Sequence, residues 1–442
     1  MEKTKEKTLS DRHRGTLWCH FANIFLGFWL LCTQFLYAPV QTSMMMSDII
    51  TGGVLIVFGF LSLSRRLIFA PWVIVLAGFW LQFAPLIFYA VDMAAYLNDT
   101  MVSVACISFA LIIPGIPGFA EEEGHGIPPG WSYNPSAWIQ RIPVVALGCV
   151  GWLISRYLTA YQLGYIDTVW DPVFGDGTRL VITSDVSSAF PVPDAGLGAF
   201  AYTIEAILGC KGGENRWRTM PWIVVGFAML VVPLGIVSII LVILQPLIVG
   251  HFCFLCLLAA GSMLIMVTLT VDEMVAVFAG LNQARREGKS LWHSFWFGDN
   301  IRAAKDDKRT PPFEGKVSSL IESLRWGIGF RWNLFITALL GGWLMLTPYA
   351  FDLPKSLYSD ILYLIGPLVI VTSIIALAEV ARIIRYALIM FGLWLAIGSW
   401  FLSGSSLSSN INLLIIGVLI VLLCIPRGEI RERYGHWDRW IL

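Results

Sequence analysis

The chain has 442 residues, 57 % hydrophobic and 14 % charged, and a mean hydropathy of +0.72. That composition excludes a soluble globular enzyme and marks an integral membrane protein. Thirty basic residues balance 30 acidic ones, and no nucleic-acid partner is expected.

A helix needs about 20 mostly apolar residues to cross the hydrocarbon layer. Runs of that kind are expected at twelve places: 17–37, 48–64, 70–90, 100–118, 138–164, 194–210, 220–244, 247–271, 332–350, 361–379, 385–402 and 411–425. The first exceeds a signal-peptide core and lacks a small-residue cleavage site, so it reads as a retained helix. Lys and Arg accumulate on the cytoplasmic side of short loops. With both termini inside, all 30 fall on that side except Arg156, Arg179 and Lys355. The inside groups include Lys3 to Arg14, Arg65 and Arg66, Arg216 and Arg218, the run from Arg285 to Arg331, and Arg427 to Arg439. The acidic run Glu121 to Glu123 also lies inside, where carboxylates have little influence on orientation. The expected location is a plasma (inner) membrane with both termini cytoplasmic.

Gly-x-Trp-Leu occurs at Gly27, Gly78, Gly341 and Gly392, and the first two copies and the last two are each 51 residues apart. Each copy is followed by a second helix, so the repeat is a two-helix hairpin. A proline stands near the outer helix end in three copies (Pro39, Pro85, Pro348), and a polar residue opens each second helix (Asp48, Asp99, Asp360, Asn410). The glycine permits close helix approach, and the Trp suits a lipid interface. The pattern resembles SPW-type membrane repeats over about 20–118 and 332–428, a resemblance that implies packing and no chemistry. The expected organisation is two hairpin repeats in 17–118, a four-helix bundle in 130–275, a cytoplasmic amphipathic linker in 276–331, two more repeats in 332–428 and a cytoplasmic tail in 429–442. The linker, with Lys316 to Trp326 amphipathic, reads as a solvated segment partly on the membrane surface.

Of the eight cysteines, Cys19, Cys32, Cys106, Cys149, Cys210 and Cys424 are expected to be small core hydrophobes. Cys253 and Cys256 differ. In "VGHFCFLCLLAAG" they stand at i and i+3, on one helix face and close enough to bridge if the first turn adjusts. Past Pro246, where the outer turn is expected, a helix N-terminus favours thiolate, and His251 is the nearest candidate cation. No second pair with suitable spacing completes a zinc site, so no metal is expected. Two readings stay open: coincidental packing, or a redox pair that meets an outer-face thiol protein and a membrane-dissolved oxidant.

The middle of the chain resembles the vitamin K epoxide reductase family, a four-helix membrane bundle with Cys-x-x-Cys at the outer start of its last helix. Besides Cys253-Phe254-Leu255-Cys256, the resemblance runs through Thr183, Ser184, Pro193, Gly198, Tyr202 and Gly209-Cys210, then Trp217 in a basic inside turn. It implies a membrane thiol-disulfide oxidoreductase that passes electrons from outer-face protein thiols, supplied by a thioredoxin-like partner, to a quinone such as ubiquinone or menaquinone. By residue-wise carry-over Cys253 is the exposed sulfur that exchanges with the donor, and Cys256 faces the quinone. Asp194, Tyr202 and Ser184 are candidates for the quinone pocket. Glu205, a carboxyl deep in the membrane, is a candidate proton donor to the reduced quinone or a neutral group bonded to a neighbouring helix. Two departures stand out: no cysteine lies between Cys149 and Cys210, with Trp170 and Thr178 near the expected relay positions, and "LLAAG" follows Cys256. The rival reading is a non-enzymatic membrane scaffold or assembly protein with a degenerate redox bundle.

Overall fold

The structure, a computed structural model, describes residues 2–36, 41–64, 66–90, 92–112, 126–298, 305–402 and 404–441; the Glu121 to Glu123 run, Pro39 and Arg65 lie outside them. The chain is an all-α integral membrane protein. Eleven of its described helices are long and apolar enough to cross a membrane. The remaining expected span, 194–210, forms a helix of 17 residues, about 25 Å long at 1.5 Å per residue. It is short because Pro193 opens it and Gly212, at φ +78°, turns the chain just beyond its end.

The helices in chain order begin with two hairpins, α1 (Glu2–Thr33) with α2 (Thr42–Ser62), and α3 (Ala70–Ile87) with α4 (Met93–Ala110). The middle contains α5 (Trp138–Gln162), the short α6 (Gly177–Ile182), α7 (Asp194–Cys210), α8 (Arg216–Thr219), α9 (Pro221–Leu244) and α10 (Phe254–Arg286). After α11 (Leu291–Phe297) and α12 (Val317–Ser323) come the last two hairpins, α13 (Trp332–Ala350) with α14 (Leu357–Ile375), and α15 (Ala387–Ile397) with α16 (Leu407–Cys424), before a terminal α17 (Asp438–Ile441). The only described strand pairing joins two residues, Gly126–Ile127, with Lys305–Asp306.

The two hairpin pairs repeat each other contact for contact. A Cβ on Gly27 would stand 2.6 Å from the Gly52 carbonyl oxygen and 2.7 Å from Cγ1 of Ile56; one on Gly341 would stand 2.7 Å from the Gly366 oxygen and 2.8 Å from Cγ1 of Ile370. Trp29 Nε1 donates to Asn98 Oδ1, and Trp343 Nε1 to Asn412 Oδ1. All these positions differ by 314 residues (27 to 341, 52 to 366, 98 to 412). In this register Asp360 and Asn410 are not the counterparts of Asp48 and Asp99: Leu362 and Leu413 are. The sequence pattern had grouped polar residues that merely lie near the same helix ends.

Helices α5, α7, α9 and α10 form the central bundle. The first hairpin pair packs on it through Leu30, Ile74 and Leu81 against Ile204, Ile207 and Ile223. The second packs through Met345 and Tyr363 against Val242 and Phe252. One end of the bundle is basic. There Arg216 pairs with Glu273 and donates to the carbonyls that end α7, and Arg141 does the same for Gly209, Lys211 and Gly212. Trp217 is fully buried, its Nε1 donating to the Gly126 carbonyl. The linker departs from the expectation of a solvated segment. Trp326 is buried beside Tyr133, Gln140 donates to the Ser323 carbonyl, and Arg309 pairs with Glu432 of the tail. An amphipathic pattern shows that one face seeks apolar cover; here the cover is protein.

The glycine seams carry a direct test. Gly27→Leu and Gly341→Leu each overpack a helix pair and should cost about 1–3 kcal/mol, lowering the thermal midpoint of the full chain in detergent. Gly342→Leu, where a Cβ meets nothing within 4 Å, should leave it unchanged.

Candidate active site

Opposite the basic end, α9 continues through Pro246 in one wide turn, Gln245–Val249, and Gly250 at φ +78° reverses the chain. The outer turn is therefore not at Pro246, where it was expected: the proline sits inside the continuing helix, whose last turn is widened at that point. The connection lies four residues later, and Cys253 sits in it as the N-cap of α10. Its extended backbone (φ −101°, ψ 113°) brings the two cysteines together: Cys253 and Cys256 form a disulfide with Cα atoms 5.2 Å apart. Cys256 N donates to Cys253 Sγ at 3.0 Å, and Cys253 N donates to Gln245 Oε1 at 2.9 Å, so the chain entering the helix has its donors satisfied.

The expected exposed sulfur is buried. Cys253 is 0 % exposed, packed with Leu158, Ile182 and Leu255. The cause is the long loop between α5 and α7. A Cβ on Gly177 at the start of α6 would lie 2.3 Å from the Phe252 carbonyl oxygen, so α6 rests on the backbone leading into Cys253. The Trp170 ring meets Phe254 edge-on at 5.7 Å. Asp171 fastens this cover: Oδ1 accepts from the amides of Val173 and Phe174, Oδ2 from the amide and hydroxyl of Thr178. Burial alone would raise the Asp171 carboxyl, but the bonds from Thr178, Phe174 and Val173 outweigh it and hold the group below its ordinary range. No cysteine lies in this loop; Trp170 and Thr178 hold it without covalent links.

Cys256 lines a cavity of about 60 Å³ together with Ser184, Ser187, Asp194, Leu241 and Gln245. Asp194 Oδ1 accepts from Gln162 Nε2 (2.6 Å), Ser187 Oγ (2.7 Å) and its own neighbour Ala195 N (2.8 Å). The Ser184 hydroxyl donates to the Val181 carbonyl. Two of the expected pocket residues thus share a cavity with Cys256. Tyr202 and Glu205 do not line it. Tyr202, about 12 Å further along α7, packs its ring on Gly151 and donates to the Ala259 carbonyl of α10 at 2.8 Å. Glu205 is about 16 Å from Asp194 along the same helix, fully buried, and neither carboxyl oxygen has a hydrogen-bond partner among the described residues. Neither the helix-to-helix bond expected of it nor a place beside the cavity is present.

Gln162, Gln245, Ser187 and Asp171 complete the site and were not singled out from sequence. Gln245 had a signal, as the lone polar residue in "ILVILQPLIVG". The others belong to ordinary polar stretches whose partners are distant in the chain. A second cavity, about 230 Å³ between α9, α10 and α14, is lined by apolar residues such as Val242, Leu257, Met345 and Ile370, and neither sulfur faces it.

The resemblance that arose from the cysteine pair now has a position in the fold. Residues 142–271 match the Vitamin K epoxide reductase family. That segment holds the disulfide, the covering loop and every residue named for the cavity beside Cys256. Residues 331–425 match the SPW repeat domain. No curated protein and no solved structure matches the chain. The likeness covers the cysteine bundle rather than the whole chain, and with the Cys253–Cys256 disulfide it supports a membrane thiol oxidoreductase in general.

A quinone needs donors for its oxygens in a dry pocket. Gln245 places an amide in the cavity wall, but the Ser184 hydroxyl is given to the Val181 carbonyl and the Ser187 hydroxyl to Asp194, so the two serines would serve a quinone oxygen only after releasing those partners. The cavity is smaller than the roughly 150 Å³ that accommodates benzene, so a ring fits only when the segment from Ser184 to Ser187 moves outward.

The covering loop should be acid-labile. Because the Asp171 carboxyl is held low in the folded state, its contribution is complete above the ordinary carboxylate value and is lost as pH falls through the depressed native one. Asp171→Ala should mimic that loss at neutral pH, and maleimide should label Cys253 of the reduced protein at least several-fold faster in the variant than in the parent.

Proposed function

We propose that the protein is a quinone-linked thiol-disulfide oxidoreductase of a plasma (inner) membrane, with the basic end and both termini cytoplasmic. The observation that carries this reading is the division between the two sulfurs of one disulfide: Cys256 looks into an enclosed cavity with hydroxyl and amide donors, and Cys253 lies under a non-covalently fastened loop at the opposite end from the arginines. The excess of arginine at one end supports the orientation, which puts the pair on the side where protein disulfides persist.

The chemistry follows from the division. A thiolate of a thioredoxin-like donor attacks Cys253 Sγ once the loop lifts, breaking the Cys253–Cys256 bond and forming a mixed disulfide. The donor's second thiol resolves it. The donor leaves as a disulfide, and both cysteines are left as thiols. Re-forming the intramolecular bond releases two electrons and two protons. A bound quinone supplies the chemistry of accepting both. Gln245, and Ser184 and Ser187 once they leave Val181 and Asp194, would hold its oxygen beside Cys256, while Gln162 and the Ala195 amide keep Asp194 in place. Gln245 holds the amide of Cys253, so the turn keeps its shape whether the bond is open or closed. The apolar walls exclude water from the cavity.

Cys253→Ser and Cys256→Ser should each reduce dithiol-dependent quinone reduction by the membrane-reconstituted chain to background, and Cys149→Ser should not. Equal rates in all three variants would sink the enzyme reading and leave a membrane scaffold.

A further inference from the structure

The two hairpin pairs are the same fold built twice, so each is a control for the other. Their interiors differ at one pair of positions in particular. Asp48 and Asp99 stand 51 residues apart, the repeat length, and so occupy equivalent places in the two hairpins of the first pair. The corresponding residues of the second pair are Leu362 and Leu413, each 1 % exposed. The architecture therefore needs apolar volume there, not carboxyl groups. Yet Asp48 is 5 % exposed and Asp99 1 %, in helices that cross the membrane, where buried acids are costly and rarely retained without a use.

The surroundings of the pair are specific. Gln34 Nε2 donates to Asp48 Oδ2 at 2.8 Å, and Asn98 Nδ2 to Asp99 Oδ1 at 3.1 Å. No N–H or O–H of the described residues reaches the other two oxygens, Asp48 Oδ1 and Asp99 Oδ2, both fully buried. The two carboxyl groups lie close enough to act on each other electrostatically. Two carboxylates are acceptors only, and two buried charges of one sign with unpartnered oxygens are relieved when one of them takes a proton. The elements packed around them contribute neutral groups: Gln34 and Trp29 from α1, Ser47 from α2, Gln82 and Trp80 from α3, Asn98 and Tyr96 from α4. Arg156 of α5 is the cation brought to this region; it donates to Thr100 Oγ1 at 2.5 Å and stacks over Tyr96 rather than pairing with either acid.

We propose that Asp48 and Asp99 form a proton-binding site inside the first hairpin pair, holding one exchangeable proton between two carboxyl groups. The second hairpin pair, with leucines in their place, is then a packing element only. The first pair is a packing element that also does acid–base chemistry. This inference stands apart from the redox reading, since none of its residues touches the cysteine bundle's cavity.

Dicyclohexylcarbodiimide, which modifies protonated carboxyls in apolar surroundings, tests it on the full chain in phosphatidylcholine vesicles, with peptide mapping by mass spectrometry. Label should appear on Asp48 or Asp99 at neutral pH and fall to background as pH is raised. It should persist in Glu205→Gln, which removes the other buried carboxyl of this region. An Asp48→Leu/Asp99→Leu variant, which recreates the interior of the second pair, should fold with a raised thermal midpoint and lose one protonated-carboxyl band from the infrared spectrum. Absence of label on both residues of the parent protein at neutral pH would overturn the proposal whether or not the variant folds. So would protection from label by sodium at fixed pH, which would assign the site to a metal cation.

Discussion

Within the hydrocarbon layer a polar group has no water to fall back on, and its partners must come from the protein itself. Nearly every distinctive feature of this chain follows from how that requirement is met. At the basic end, Arg216 and Arg141 meet it for the open carbonyls of α7, and Arg216 pairs with Glu273 as it does so. At the disulfide end, Gln245 meets it for the amide of Cys253, and Gln162 and Ser187 meet it for Asp194. Glu205 has no partner among the described residues, and the Asp48–Asp99 pair satisfies it only by binding a proton.

The same requirement explains the covering loop. A cysteine pair at a helix N-terminus that faced lipid and water alike would be open to any small thiol or oxidant. Here α6 and Trp170 close over it, and the closure rests on four hydrogen bonds to one exposed-side carboxylate. Such a clasp opens at a far lower energetic cost than a covalent link. Access to Cys253 thereby becomes a conformational event, while Cys256 stays in contact with the cavity throughout. The loop covers Cys253, and Cys256, joined to it in one disulfide, lines the cavity.

The hairpin pairs give the bundle lateral cover. Each pair packs glycine against backbone in the same register, and each closes the helix ends with a Trp-to-Asn bond. Their apolar outer faces suit lipid; their inner faces cover α7 and α9 on one side and α9 and α10 on the other. The two copies differ in their interiors at Asp48 and Asp99, where the second has Leu362 and Leu413.

Hydropathy, charge sorting and the repeat spacing were enough to establish an all-α membrane protein with paired hairpins around a bundle, because helices in lipid bond within themselves and their apolar length is written locally. The Cys-x-x-Cys pair was legible for the same reason: its spacing is local. What the linear text did not contain was which surfaces meet. That Cys253 lies beneath a loop held by Asp171, that Tyr202 and Glu205 lie below the cavity rather than in it, that the linker docks through Trp326, and that Leu362 rather than Asp360 is the counterpart of Asp48 all depend on helix rotation and on contacts between residues far apart in the chain. Those are settled by the packing of whole faces, a few tenths of an ångström at each glycine seam, and no short window of sequence carries that sum.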